Sequence, residues 1–228
     1  MSHSETGSSW RDARQDPTGQ APDPATTREA VLQVYGARAF SWRGIFGIHT
    51  WIALKPADAD EYTRLEVIGW HLRHEGTALS LSTGEADNYW FGSRPWIIAE
   101  YCGDMAQDLI PKVMAAAETY PFARVYRVWP GPNSNSFTAY IARKVPELRL
   151  HLPPHALGKD YLDDGVVAPA PSGSGYQLNW FGLFGIVAAL EEGLEINLFG
   201  LVFGIDFKGP GVKLPGLGLI GRDRGPRC

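Results

Sequence analysis

The feature that most constrains the fold is a glycine-rich segment near the C-terminal end that repeats itself. Residues 178–186 read LNWFGLFGI and residues 196–205 read INLFGLVFGI, so the copies match once Val202 is treated as an extra residue. The Phe, Ile and Trp residues favour strands, whereas in-strand glycines weaken them and allow close backbone approach. The sequence EEGLE between the copies is a turn, so the segment predicts an internally repeated β-hairpin with a bulge at Val202.

The surroundings of this repeat have two interpretations. In the first, both faces are buried, one against the main sheet and the other against a loop. In the second, part of residues 178–205 stays exposed and docks on a membrane surface or a protein partner, since soluble monomers rarely leave a large apolar patch uncovered. Trp180 and four phenylalanines suit such an interface, although the segment lacks the basic flank that anionic lipid favours.

Upstream of the repeat, strand-like and helix-like segments alternate. Period-2 or apolar patterns predict strands at residues 31–40, 45–55, 61–72, 96–103 and 124–129. Helical spacing predicts one helix after Gly103, kinked or split by Pro111, and a second from Asn133 to about Lys144. The fold class expected is therefore α+β: an antiparallel sheet with two main helices packed on it, plus a glycine-rich β-hairpin extension.

Composition divides the chain into three parts. Residues 1–27 are rich in Ser, Thr, Pro, Gly and charged residues, which predicts a flexible N-terminal arm. Residues 28–171 form the expected α+β core, in which residues 73–95 are loop-like. Residues 172–228 form the glycine- and aromatic-rich extension, which we expect to pack on that core.

Charge and motif content exclude several classes of function. The net charge of −4 and the absence of a Lys/Arg run argue against nucleic-acid binding. No cofactor is expected, because the glycines alternate with Phe and Leu and form no phosphate-binding loop. His71 and His74 lack the further ligands of a zinc site, so no metal is expected. The sequence predicts no signal peptide and no membrane-spanning helix; the cytoplasm is the default location, with envelope association if an upstream segment is missing.

Residues 129–140, WPGPNSNSFTAY, have the form of a helix start and also the form of a nucleophile site. Asn133 is a good N-cap, and nearby hydroxyls can satisfy further N–H groups of the first turn. A serine nucleophile at Ser134 would instead gain from the helix dipole. In that interpretation the first-turn N–H groups beside Asn133 and Asn135 would hold an oxyanion.

Acyl transfer at Ser134 also requires a base and a group that orients it. Among six histidines, His49 has the most structured context, in the middle of a strand between apolar residues. Glu66 and His71 on the adjacent predicted strand are the candidates for orienting its ring. They lie on opposite faces of that strand, so at most one of them can serve.

These motifs resemble those of circularly permuted papain-like proteins, which include lecithin:retinol acyltransferase-like and permuted NlpC-type hydrolases. In that family a His on an early strand precedes a Cys at a helix start, within an Asn-Cys…Phe motif. The resemblance covers residues 49–145. It implies that His49 in GIHTWIAL is the base and that Asn133, Ser134 and Phe137 in PNSNSF form the nucleophile motif, with serine replacing cysteine.

Residues 28–220 as a whole also resemble a bacterial family of uncharacterised proteins. The segments RGIFGIHTWIALKP and WPGPNSNSF and the glycine-rich tail carry this second resemblance, which implies no activity. Two functional hypotheses therefore stand. The first is a serine-variant hydrolase or acyltransferase that acts on an amide or ester of an unknown small molecule, peptide or lipid. The second is a non-catalytic binding or structural module, membrane- or envelope-peripheral, that contacts its partner through residues 178–205.

Overall fold

A computed structural model describes residues 12–221 of the chain. Two antiparallel sheets and two main helices make up this part of the protein, which confirms the α+β class. Among residues 12–221, no helix has both the length and the apolar character needed to cross a lipid bilayer.

The first sheet has five strands in the order β4-β3-β2-β1-β5, and all neighbours are antiparallel. The strands are β1 Val31–Arg38, β2 Ile48–Lys55, β3 Tyr62–Val67, β4 Leu79–Gly84 and β5 Trp96–Cys102. Strand β4 was not predicted, because only Leu79 and Leu81 of its sequence LSLSTG are large apolar residues and the strand forms an exposed edge. The predicted strand at 61–72 ends at Val67, and its last residues form the short 3-10 helix Gly69–Arg73.

Helices α1 Gly103–Glu118 and α2 Ser134–Lys144 pack on one face of the first sheet. The split predicted at Pro111 is wrong, since α1 continues through it as one helix, whereas the kink stays a prediction. Apolar residues on both sides of Pro111 are buried, and their burial offsets the hydrogen bond that proline removes. The shared core contains Leu32, Val34, Ile52, Leu65, Leu109, Val113, Phe137 and Ile141.

The strand predicted at residues 124–129 does not form, and this part of the chain is a series of turns. The Arg127 backbone N–H donates to the Pro132 carbonyl oxygen at 2.8 Å, inside the loop that leads to α2. The alternating sequence RVYRVW has strand character, but a strand also requires a neighbour with free backbone groups. The local sequence pattern could not show that no described strand pairs with residues 124–129.

The second sheet has seven strands, which follow one another in sequence order across the sheet as antiparallel neighbours. They are β6 Val167–Pro169, β7 Gly175–Trp180, β8 Phe184–Ala189, β9 Gly193–Leu198, β10 Leu201–Asp206, β11 Gly211–Leu214 and β12 Gly218–Gly221. Each copy of the repeat spans two strands with a turn inside the copy. The bulge predicted at Val202 is wrong: Val202 pairs with Asn197 in an unbroken register, and the extra residue lies in a longer strand after a shorter turn.

Residues 12–27, expected to belong to a flexible arm, lie against the first sheet in this structure. The Thr18 hydroxyl donates to the Asp87 carboxylate at 2.7 Å, and the Tyr62 hydroxyl donates to the Pro22 carbonyl at 2.9 Å. The predicted arm also includes residues 1–11, among them Trp10, which lie outside the described residues. The three-part division of the chain remains a prediction.

Candidate functional site

The predicted nucleophile motif lies at the start of α2, where Asn133 caps the helix. The Asn133 side-chain oxygen accepts hydrogen bonds from the backbone N–H groups of Asn135 and Ser136, at 3.0 and 3.1 Å. The Ser136 hydroxyl accepts from the Asn133 N–H at 3.2 Å, which completes a capping box. The capping role predicted for Asn133 is therefore confirmed.

The polar groups around Ser134 are held by contacts within the protein. The N–H groups of Asn135 and Ser136, which an oxyanion at this helix start would use, both donate to the cap. The Asn135 side-chain amide donates to the carbonyls of Ile48 and Leu157, at 3.0 and 2.8 Å. Ser134 itself is only 3% exposed. A substrate would have to break these contacts before it could bind here.

Thr50 places the start of α2 on one face of the first sheet. Its hydroxyl lies 3.3 Å from the Ser134 carbonyl oxygen and 3.0 Å from Asn135 Oδ1, and its single proton is shared between these acceptors. It also lies 2.9 Å from the Thr138 hydroxyl, one turn further along α2. Ser134 therefore lies on the face of the sheet to which Thr50 points.

His49 points to the opposite face, because successive side chains of a strand alternate. Its Nε2 lies 2.9 Å from Glu66 Oε2, and the Arg64 guanidinium contacts the same carboxylate at 2.9 Å. The Trp90 ring stacks on the imidazole with a centroid distance of 3.6 Å. The sheet backbone thus lies between His49 and Ser134, and the structure does not bring the predicted base and nucleophile together.

Of the two groups considered for orienting His49, Glu66 is the one in contact with it. His71 lies in the 3-10 helix Gly69–Arg73, and its Nδ1 is 3.3 Å from a Glu75 carboxylate oxygen. His49 and Glu66 are diagonal neighbours on β2 and β3. Ile52 pairs directly with Leu65, which places Glu66 opposite Trp51, two residues from His49.

Burial and hydrogen bonding set the charges of this pair. Burial lowers the pKa of His49 more than the hydrogen bond to Glu66 raises it. Burial raises the pKa of Glu66, but the Arg64 charge and the His49 hydrogen bond outweigh that effect and leave it below its usual value. At neutral pH a neutral imidazole therefore donates to a carboxylate that is already paired with Arg64.

The second sheet carries a different candidate site, because the polarity of its two faces is inverted. In β9, Glu195 and Asn197 are buried, whereas Leu194, Ile196 and Leu198 are 41–47% exposed. Three other strands also bury polar residues, although β8 and β10 bury Val187 and Val202 on the same side. The buried polar residues of the remaining strands are Gln177, Asn179, Asp206 and Lys213.

The exposed apolar side chains form continuous rows across the strands. One row runs through Leu178, Ile186, Ile196 and Phe203, which are successive register partners. Part of this surface is an open groove of about 570 Å³. We call the surface the apolar face; it consists of the outward side chains of β7–β12, among them Leu178, Ile186, Leu194, Ile196, Phe203 and Ile205.

Buried ion pairs fix the orientation of the second sheet. Glu195 contacts the ammonium groups of Lys159 and Lys213, each at 2.5 Å. Asp160 pairs with Lys159 at 2.7 Å and accepts a hydrogen bond from the Asn197 amide at 2.9 Å. Burial raises the pKa of Glu195, but the Lys159 and Lys213 charges reverse this and hold it far below its usual value. If the sheet turned over, Lys159, which lies outside the sheet, would stay buried without the Glu195 carboxylate, so this ion pair holds the apolar face outward.

The asparagine of each repeat copy closes the turn within that copy. Asn179 Oδ1 accepts from the Gly182 N–H at 2.6 Å, and Asn197 Oδ1 accepts from the Gly200 N–H at 2.8 Å. Both asparagines are buried, so the residues next to each of them along its strand, such as Leu178 and Ile196, point outward. Sequence reasoning missed the inversion, although the alternation of Glu195 and Asn197 with apolar neighbours was its signal.

The architecture is that of an α+β protein in which a helix-covered sheet adjoins a second sheet with an uncovered apolar face. The chain matches the family described as "Protein of unknown function (DUF3750)" over residues 29–161, which is more than half of its length, and it belongs to that family. No curated protein and no solved structure matches the chain. The resemblance to permuted papain-like proteins remains a prediction.

Proposed function

We propose that the protein is a non-catalytic interaction module whose apolar face binds an apolar partner surface. The observation that carries this proposal is the inversion of the second sheet, in which charged residues are buried and aliphatic and aromatic residues point outward. Water disfavours such a surface in proportion to its area, so covering it releases free energy. An apolar partner supplies that cover.

An ion pair on the buried side of the second sheet holds the apolar face in its outward orientation. The ion pair of Glu195 with Lys159, which lies outside the second sheet, would be lost if the sheet turned over to hide its apolar side chains. Rows of side chains that continue across neighbouring strands also differ from the scattered single residues found on ordinary surfaces.

The acyl-transfer hypothesis has less support. It requires Ser134 within hydrogen-bond reach of a base, yet His49 points away from α2 and is engaged by Glu66. The first-turn donors that would stabilise an oxyanion are bonded to Asn133. Both arrangements suit a structural role at the junction of α2 and β2.

Detergent binding by the purified full chain tests the proposal. Micelles of dodecyl maltoside offer a generic apolar surface, and light scattering coupled to size exclusion measures bound detergent and self-association. The wild type is expected to bind detergent, or to self-associate when detergent is removed. The double variant Ile186→Thr/Ile196→Thr removes two exposed aliphatic side chains from the apolar face and is expected to reduce both effects.

A matched control separates this face from apolar surface in general. Leu81→Thr/Met105→Thr removes two side chains of similar exposure, 51% and 56%, from the first sheet and α1. This variant is expected to behave like the wild type. A wild-type chain that stays monomeric and binds no detergent would overturn the proposal, as would equal effects of the two double variants.

A further inference from the structure

We infer that the partner surface is a lipid bilayer and that three turns at one end of the apolar face enter it first. This inference rests on the proposed function and identifies its partner. The turns lie between β7 and β8, between β9 and β10, and between β11 and β12, all at the same end of the second sheet.

Each of these turns presents one large apolar side chain to solvent. Phe181 is 67% exposed, Phe199 60% and Leu217 69%. We call these three residues the apolar tips. They have successive positions along one edge, as expected for side chains that enter the same layer together.

Two neighbouring segments extend the apolar tips. The 3-10 helix Ser41–Ile45 exposes Trp42, and its Ile45 carbonyl lies 2.8 Å from where a β-carbon on Gly216 would be. On the other side, the Trp129 indole N–H donates to the Phe199 carbonyl at 2.9 Å. Tryptophan with an apolar body and a polar N–H is favoured at the boundary between lipid and water.

The backbone conformation of two apolar tips supports a contact with a surface outside the chain. Phe181 and Phe199 have φ angles of 55° and 53°, in the left-handed region, and each precedes a glycine that also has positive φ. Asn, Asp and Gly occupy such turn positions at lower cost than Phe. The two phenyl rings remain mostly exposed, so burial within the protein offsets little of this strain.

Charge distribution distinguishes the two ends of the sheet. The turns at the opposite end contain Glu191, Glu192 and Lys208, and Lys208 pairs with Glu191. The segments 178–190 and 196–205, which contain two of the tips and most of the apolar face, have no charged residue. The three turns that carry the tips, residues 181–183, 199–200 and 215–217, contain no charged residue, which matches the gradient from water to hydrocarbon.

A second copy of the chain fits this surface less well than a bilayer. Sheets that stack face to face bury the side chains that point toward each other. Two faces stacked as a sandwich would leave the apolar tips in water. A bilayer takes the face and the tips together.

Flotation of the full chain with phosphatidylcholine vesicles tests the inference. The wild type is expected to float at low and at high salt, because the contact is apolar. Phe181→Asn/Phe199→Asn is expected to lower partitioning by roughly tenfold or more, since two phenyl rings leave the lipid. The same variant should keep or raise the melting temperature, because Asn suits both turns.

Phe207→Asn is the matched control, since Phe207 is 66% exposed at the charged end of the sheet. It is expected to float within about twofold of the wild type, as its ring lies outside the lipid. An equal loss in this control would overturn insertion by the tips.

Other outcomes separate the two proposals. A chain that binds detergent or self-associates but never floats would overturn the bilayer as partner and leave the interaction module standing. Flotation that requires phosphatidylglycerol and disappears at high salt would replace the apolar contact with a charged one. A chain with neither detergent binding nor flotation would overturn both proposals.

Discussion

The first sheet turns Ile52 and Leu54 toward two helices and places its polar network of His49 and Glu66 on the other face. The second sheet does the reverse, with Glu195 buried and Ile196 open to solvent. Both sheets are antiparallel, so in both of them the side chains of each strand alternate between two faces. What differs is the neighbour: helices cover the apolar side of one sheet, and buried lysines hold the polar side of the other.

The largest effect is expected where the second sheet depends on buried charge. Glu195→Ala leaves Lys159 and Lys213 without their shared carboxylate in the interior, and the expected loss is about 3–5 kcal/mol in the free energy of unfolding. Urea denaturation measures it, with the exposed Glu61→Ala as the control. Equal unfolding midpoints for the two variants would show that the ion pairs do not hold this sheet.

A matched pair of isoleucines tests the comparison directly. Ile52→Ala, at a fully buried site, is expected to cost about 3 kcal/mol, whereas Ile196→Ala, 44% exposed on the apolar face, is expected to cost less than about 1 kcal/mol. The reason is that only the first substitution leaves a cavity. Thermal unfolding in the absence of lipid and detergent measures both, and similar costs would mean that the apolar face is covered in solution.

Acid should act on the junction between the two sheets, where His155 lies. Its ring packs near Trp96 of the first sheet and against Gly218 of the second. Within residues 12–221, neither ring nitrogen has a hydrogen-bond partner. Burial, with a smaller effect of the Arg38 charge, lowers the pKa of His155 to about 4.

The sign of the pH effect follows from that pKa. The unfolded chain takes up a proton near pH 6.5 and the folded chain only near pH 4, so His155 costs stability as the pH falls between these values. About 2 kcal/mol should be lost at a pH of about 4.5 relative to neutral pH. His155→Leu should remove this share and the exposed His74→Leu should not. Identical pH profiles for wild type and His155→Leu would contradict the assignment.

The smallest effects are expected at the start of α2. Asn133→Ala should cost about 1–2 kcal/mol because it removes the cap, while Ser134→Ala should cost less than about 1 kcal/mol. A fluorophosphonate probe, which labels reactive serines, should not modify Ser134. Probe labelling of the wild type that is lost in Ser134→Ala would contradict this prediction and support acyl transfer at the first sheet.

Local patterns predicted most elements of this fold but not what surrounds them. The start of α2 was predictable because Asn133 and Ser136 act within one turn. The relation of His49 to Ser134 was not, since it depends on which face of β2 the helices cover. The choice between a buried and an exposed repeat stayed open for the same reason, since it depends on Lys159, which lies 36 residues from Glu195 in sequence.

The ion pairs beneath the second sheet also bear on where this protein can be divided. The segment shared with the family ends at residue 161, yet Lys159 and Asp160 just before that end have their partners at Glu195 and Asn197. The limit of sequence similarity therefore runs through the middle of a charge cluster and not between two independent units. A chain that ended at residue 161 would keep Lys159 and Asp160 but would lose Glu195 and Asn197, their partners in the interior.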